Sequence, residues 1–191
     1  ATARFAKNGY IAWKNALLCI VTALIGSSLG AKLALQLDDY YFKRLILVIL
    51  PCTALYLTFG KPFVGEKESF PVRKMILFSA LIAFIIGIYD GFYGPGTGTF
   101  LLLILTGLAK LPVTEASGLT KVINLSSNVA ALITFIIHGT VYYPLGLAAA
   151  VFCIAGHYIG SGMVVSNGRK IVRPVVLCVL VVLFIKVLSG N

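Results

Sequence analysis

The sequence predicts an all-α membrane protein: a polytopic helical bundle with inverted repeats and one broken, Gly-rich half-helix. Three observations lead there. Of 191 residues, 59% are hydrophobic and only 12% charged, with a mean hydropathy of +0.99. A soluble domain is about 45–50% apolar and about 25% charged, so the polar coat that water demands is missing. The apolar residues fall in runs of bilayer length, and one of those runs is interrupted by glycines. A soluble enzyme, a disordered chain and a disulfide-stapled secreted module are excluded.

A spanning helix needs about 20 mostly apolar residues. In chain order the runs are Trp13 to Leu35, Phe42 to Phe59, Val72 to Tyr89, Leu119 to His138, Pro144 to Val165, and Ile171 to Leu188. Between Tyr89 and Leu119 lies a Gly-rich break followed by Phe100 to Ala109, whose ten residues reach only about 15 Å as a helix. That segment is too short to cross alone and reverses the chain.

Alternating topology sorts the 16 basic residues. Arg4, Lys7, Lys14, Lys61, Lys67, Arg73, Lys74, Lys110, Lys121, Arg169, Lys170 and Arg173 collect on one side. Lys32, Lys43, Arg44 and Lys186 collect on the other. The excess marks the cytoplasmic side, which places Ala1 inside and the C-terminus outside. The net charge of +10 is therefore topological, and no extended basic face for nucleic acid is present. Cys19, Cys52, Cys153 and Cys178 sit inside apolar runs without CxxC spacing, as small buried hydrophobes do. No metal cluster and no cofactor motif is visible. No cleavable signal peptide is evident and the first residue is not Met.

A shift of 130 positions lays Gly9 on Gly139, Gly26 on Gly156, Gly30 on Gly160 and Lys43 on Arg173. The first copy starts inside and the second outside, an inversion typical of secondary transporters with midplane sites built from broken helices. The expected division is 1–71, the remainder of a first repeat, and 72–191, a complete second one. The counterpart of Val72 would fall near −58, so the N-terminal part of the first repeat is expected to be missing.

The break reads Asp90-Gly91-Phe92-Tyr93-Gly94-Pro95-Gly96-Thr97-Gly98-Thr99. Glycines at 94, 96 and 98 permit tight turns, Pro95 interrupts a continuous helix, and Thr97 or Thr99 can cap the helix that follows. Irregular backbone at membrane depth must be buried in protein or line a cavity, and a helix N-terminus attracts anions. A small anion is the expected ligand. A phosphate loop is excluded, because no Lys follows the last glycine; a packing kink without a ligand is the rival. The next span carries Thr120, Lys121, Asn124, Ser127 and Asn128 at helical spacing. Lys121 either offers a cation to the anion or snorkels to the interface. Asp90, Glu115 and His157 are the embedded or near-embedded titratable groups that could couple transport to protons. Asp90 and His157 are the leading candidates, with a hydrogen bond between close-packed helices as the alternative for His157. Tyr93, Gly94, Gly96, Thr97, Gly98, Thr99, Lys121, Asn124 and Asn128 form the expected substrate-binding set.

The stretch from Asp90 to Phe100 resembles the glycine-rich signature of the sulfite exporter TauE/SafE family, in the DGFFGPGTGSF form of its YfcA-like bacterial branch. Ala116 to Lys121 with Asn124 is similar to that family's ATxxxK element, and Asn128 and Gly139 continue the pattern. The resemblance covers essentially the whole chain. It implies two similar halves, usually eight spans, and movement of sulfite, sulfonates and related organic anions. The first half's own Gly-rich loop is not in this sequence. The expected function is secondary transport or export of a small anion, with an anion channel or a non-transporting scaffold subunit as the alternative. An enzyme is not expected, since neither HExxH nor GxSxG occurs. The expected partners are the anion, the lipid bilayer and, in an oligomer, further copies of the chain; nucleic acid is not among them.

Overall fold

The computed structural model describes residues 13–38, 40–42, 44–45, 47–49, 51, 71–167, 178, 181–182 and 185, the side chains of Lys14 and of 157–167 excepted. Five helices carry the architecture: α1 (Trp13–Gln36), α2 (Val72–Phe92), α3 (Thr97–Gly107), α4 (Val113–Ile137) and α5 (Tyr143–Asn167). No strand occurs among the described residues. The stretches Asn15–Gln36, Val72–Phe92 and Val113–Ile137 are long and apolar enough to cross a membrane, whereas Thr97–Gly107 is short. The protein is an all-α membrane protein. The expected spans 42–59 and 171–188 lie largely outside the described residues.

Two helix starts differ from expectation. α4 begins at Val113, six residues before the expected Leu119, because Pro112 leads into it with the extended φ of −54° and ψ of 142°. Proline at the N-cap blocks extension of the helix toward its N-terminus, and the polar Thr114 and Glu115 hide that start in a hydropathy profile. α3 starts at Thr97 rather than Phe100, and neither threonine caps it by a side-chain bond. The N-cap is Gly96, at φ +87° in the left-handed region. Glycine enters that region without the Cβ clash other residues meet.

α1 and α2 pack closely and in parallel. A methyl group at Gly26 would fall on the Phe84 carbonyl, one at Gly30 on the Ile88 carbonyl, and one at Gly91 on the Ser27 carbonyl. At Gly87 it would come within 3.0 Å of the Ala23 carbonyl oxygen. The partners advance together along both helices, as expected for two spans that start on the same side. Hydrocarbon supplies no hydrophobic force between helices, so small residues that let backbones touch do the joining. Below this seam a core forms from Ala16, Cys19 and Ala23 of α1, Ile82 and Ala83 of α2, Leu101 and Leu105 of α3, and Ala116, Leu119 and Ile123 of α4. α3 and α4 make a tight hairpin through 108–112, where Lys110 takes φ +53° and the Leu111 N–H donates to the Leu105 carbonyl at 3.1 Å. Along α5 every side chain from 143 to 156 is exposed. Cys19 is buried, but Cys153 and Cys178 are exposed, which corrects the expectation that all are buried. Both sit on helix surfaces that no described element covers.

Candidate functional site

α2 ends at Phe92 and α3 begins at Thr97, so the chain breaks within four residues in the middle of the packed helices. The turn is made by two left-handed glycines, Gly94 and Gly96, both at φ +87°. It is braced by the Tyr89 hydroxyl, which donates to the Pro95 carbonyl at 2.6 Å. Tyr89 also meets the Phe100 ring edge-on at 5.6 Å, tying the end of α2 to the start of α3. The Tyr93 ring stands edge-on to Tyr89 at 6.0 Å, and its hydroxyl is buried without a hydrogen-bond partner among the described residues.

The backbone donors of the turn are partly used by the turn itself. The Gly94 N–H donates to the Tyr89 carbonyl, Thr97 N–H to Gly94, and Thr99 N–H to Gly96. Those of Gly96 and Gly98 have no backbone acceptor among the described residues. The N–H groups of this helix start left without a backbone acceptor among the described residues are therefore two, fewer than the sequence implies. Gly98 stands apart from its neighbours. A Cβ there would meet nothing within 4 Å, and its φ lies outside the left-handed region. Packing and backbone geometry therefore leave its identity unexplained.

Three elements meet at Asp90, in the last turn of α2. Its Oδ1 lies 2.6 Å from the Thr97 hydroxyl of α3, and its Oδ2 accepts from the Ser127 hydroxyl of α4. The Thr97 oxygen is also 2.5 Å from the Gly94 carbonyl, and the Ser127 oxygen 3.1 Å from the Asn124 carbonyl. From α1, the Ser27 hydroxyl donates to the Ser127 carbonyl at 2.5 Å. Thr97, Ser27 and Ser127 are all buried, in surroundings where a polar group without a partner is costly.

The sequence-predicted residues divide accordingly. Asp90, Gly94, Gly96, Thr97 and Gly98 converge at the break, with Tyr93 beside them. Thr99 is exposed on the first turn of α3. Asn124 and Asn128 are one turn apart on α4, where Asn128 Nδ2 donates to the Asn124 carbonyl at 2.6 Å and to its Oδ1 at 3.0 Å. Asn128 and Lys121 are exposed. The side chain of His157 lies outside the described residues. The expected set lacks Ser127 and Ser27, which join α4 and α1 to the break. Ser127 was legible as the residue one heptad after Thr120 on the polar face of α4, whereas Ser27 carries no such signal. Thr120 is itself buried, with a hydroxyl that has no partner among the described residues. No group of three or more His, Cys, Asp or Glu side chains that could hold a metal occurs among the described residues.

A helical membrane protein with a broken, Gly-rich half-helix at its packed centre shares that feature with membrane transporters. The sequence model described as Sulfite exporter TauE/SafE matches residues 1–187, and the chain belongs to that family. A Sinorhizobium sp protein named Probable membrane transporter protein ORF9 is 33% identical over 190 residues, which are 99% of this chain and 72% of the relative. A Probable membrane transporter protein of Haemophilus influenzae is 30% identical over 157 residues, 82% of this chain and 61% of its own length. The Escherichia coli Probable membrane transporter protein YfcA is 28% identical over 191 residues, spanning all of this chain and 71% of the relative. No solved structure matches the chain.

Proposed function

We propose that the chain is a secondary transporter, and in cells an exporter, of small anions of the sulfite, sulfonate or related organosulfur and carboxylate class. The proposed location is a bacterial cell membrane. The anion would bind near the midplane, at the Gly-rich start of α3. Gly96 and Gly98 would supply backbone N–H donors, with Tyr93, Gly94, Thr97 and Thr99 shaping the turn. Lys121, Asn124 and Asn128 would approach from α4. The observation that carries the reading is Gly98: an N–H without a backbone acceptor among the described residues, at a glycine that neither packing nor backbone strain requires. Charge-assisted bonds from backbone N–H groups are roughly twice as strong as neutral ones, and exclusion of water strengthens them. Asp90 and His157 remain the proposed proton-coupling groups.

The test is sulfonate binding by the purified chain with Gly98→Ala beside wild type. A methyl group there is accommodated by the fold but would crowd an anion held on the adjacent N–H. Binding should weaken at least tenfold, the equivalent of about 1.4 kcal/mol, with the melting temperature unchanged. Gly96→Val is the poorer probe, because the left-handed φ of Gly96 strains any side chain. Equal affinity of the Gly98→Ala and wild-type proteins would reduce the break to a kink. Liposome flux separates the alternatives: saturable and gradient-coupled for a transporter, non-saturable for a channel, absent for a scaffold.

A further inference from the structure

Resting on the anion reading of the Gly-rich turn, we propose that Asp90 is a proton-binding latch on that turn, so that one anion and one proton bind together. Two independent observations support it. The first is position. The Asp90 carboxylate touches the hydroxyl of Thr97, and Thr97 stands in the chain between Gly96 and Gly98, whose N–H groups have no backbone acceptor among the described residues. The protein's own carboxylate thus already faces the positive end of α3. An ionised Asp90 and a bound anion there would be like charges at close quarters, which disfavours ionisation of the carboxyl group.

The second is a count of hydrogens. Four oxygen–oxygen contacts hold the junction: Thr97 to Asp90 at 2.6 Å, Thr97 to Gly94 at 2.5 Å, Ser127 to Asp90, and Ser127 to Asn124 at 3.1 Å. Two hydroxyls have two protons to give, so two contacts must go without one while Asp90 is ionised. A proton on Asp90 Oδ1 supplies a third donor. The carboxylic acid then donates to the Thr97 oxygen, and Thr97 donates to the Gly94 carbonyl. The step is balanced by one proton taken from solvent on binding and returned on release.

Among the described residues, the side chains bonded to Asp90 are the uncharged Thr97 and Ser127. The segment that meets the end of α2 through Phe42 and Phe92, 5.7 Å between ring centres, carries Arg44, whose guanidinium lies over the Tyr40 ring at 4.4 Å. α3 carries no ionisable side chain. From α2 and the turn, Tyr89 is committed to Pro95, and Tyr93 has its hydroxyl buried. α1 faces the junction with Ser27, and its Lys32 is exposed. On α4, the exposed Lys121 lies six residues, about 9 Å of helix, before Ser127, and Glu115 lies further still.

The probe is isethionate, a sulfonate that stays singly charged across the neutral range, titrated calorimetrically into the full chain. Buffers of unlike ionisation enthalpy give the number of protons taken up. Wild type should take up close to one proton per isethionate at alkaline pH. Its affinity should fall about tenfold per pH unit there, as the competent, protonated fraction falls. Asp90→Asn should bind without proton uptake and without pH dependence, while Glu115→Gln keeps the wild-type count. Binding by wild type with no proton uptake overturns the proposal and leaves the anion reading standing. Persistent uptake in Asp90→Asn, or an affinity that follows sodium instead of pH, overturns it too. Absence of isethionate binding at every pH overturns the anion reading and this proposal together. The wild-type proton count decides the matter even if Asp90→Asn does not fold.

Discussion

α1 and α5 carry glycines at matching positions 130 residues apart, Gly26 with Gly156 and Gly30 with Gly160, yet the surroundings of Gly26 and Gly156 are opposite. Gly26 and Gly30 lie against the backbone of α2, so closely that a methyl group at either would strike a carbonyl. Gly156 has nothing within 4 Å, on a helix exposed along its whole described face. A glycine pair in a spanning sequence therefore marks a capacity for close packing. Whether a partner fills it is settled elsewhere in the fold, here by Gly87 and Gly91 on α2.

The sharpest way to break this comparison is to add a methyl group on each side of it. Gly91→Ala and Gly30→Ala should each destabilise the bundle by about 1–3 kcal/mol, the usual cost of overpacking. Gly156→Ala should be neutral or gain up to about 1 kcal/mol from helix propensity. Thermal unfolding in detergent reads all three. A Gly156→Ala loss as large as that of Gly91→Ala would mean that α5 is covered in the assembled protein. Thiol labelling with a membrane-permeant maleimide asks the same question more gently. Cys153 of α5 should react readily and the buried Cys19 of α1 only on unfolding, so equal protection of the two would erase the contrast. The smallest effect belongs to Ser27→Ala, which removes the hydroxyl bond from Ser27 of α1 to the Ser127 carbonyl of α4. Interhelical bonds of this kind average about 0.6 kcal/mol, and the loss should appear as a slight fall in unfolding temperature with α1 and α2 still joined.

What could be read beforehand follows from the range of each interaction. Helices α1, α2 and α5 are written in apolar runs, and the break in Gly94, Pro95 and Gly96, because length and backbone freedom are local properties. Three features were not. α4 starts early because Pro112 outweighs the polar residues after it. Thr97 does not cap α3, because the left-handed Gly96 takes the cap position and turns the hydroxyl back toward Asp90. The Asp90 junction joins residues 7 and 37 positions apart, a separation over which periodicity carries no information. Lys121 and Asn128 were legible as polar residues on a spanning helix, but their exposure depends on which face of α4 the other helices leave uncovered.

The seam between α1 and α2 has a consequence at the level of the gene. All glycine codons share their first two bases, and any single-base change that alters the residue adds at least a β-carbon. At Gly26, Gly30 and Gly91 every such change drives that carbon into a backbone carbonyl, where no rotamer can relieve it. These codons have no mild missense neighbours. In a saturation library selected for membrane expression they should be blank columns, whereas the codon of Gly156, with nothing to strike, should fill with alanine and serine.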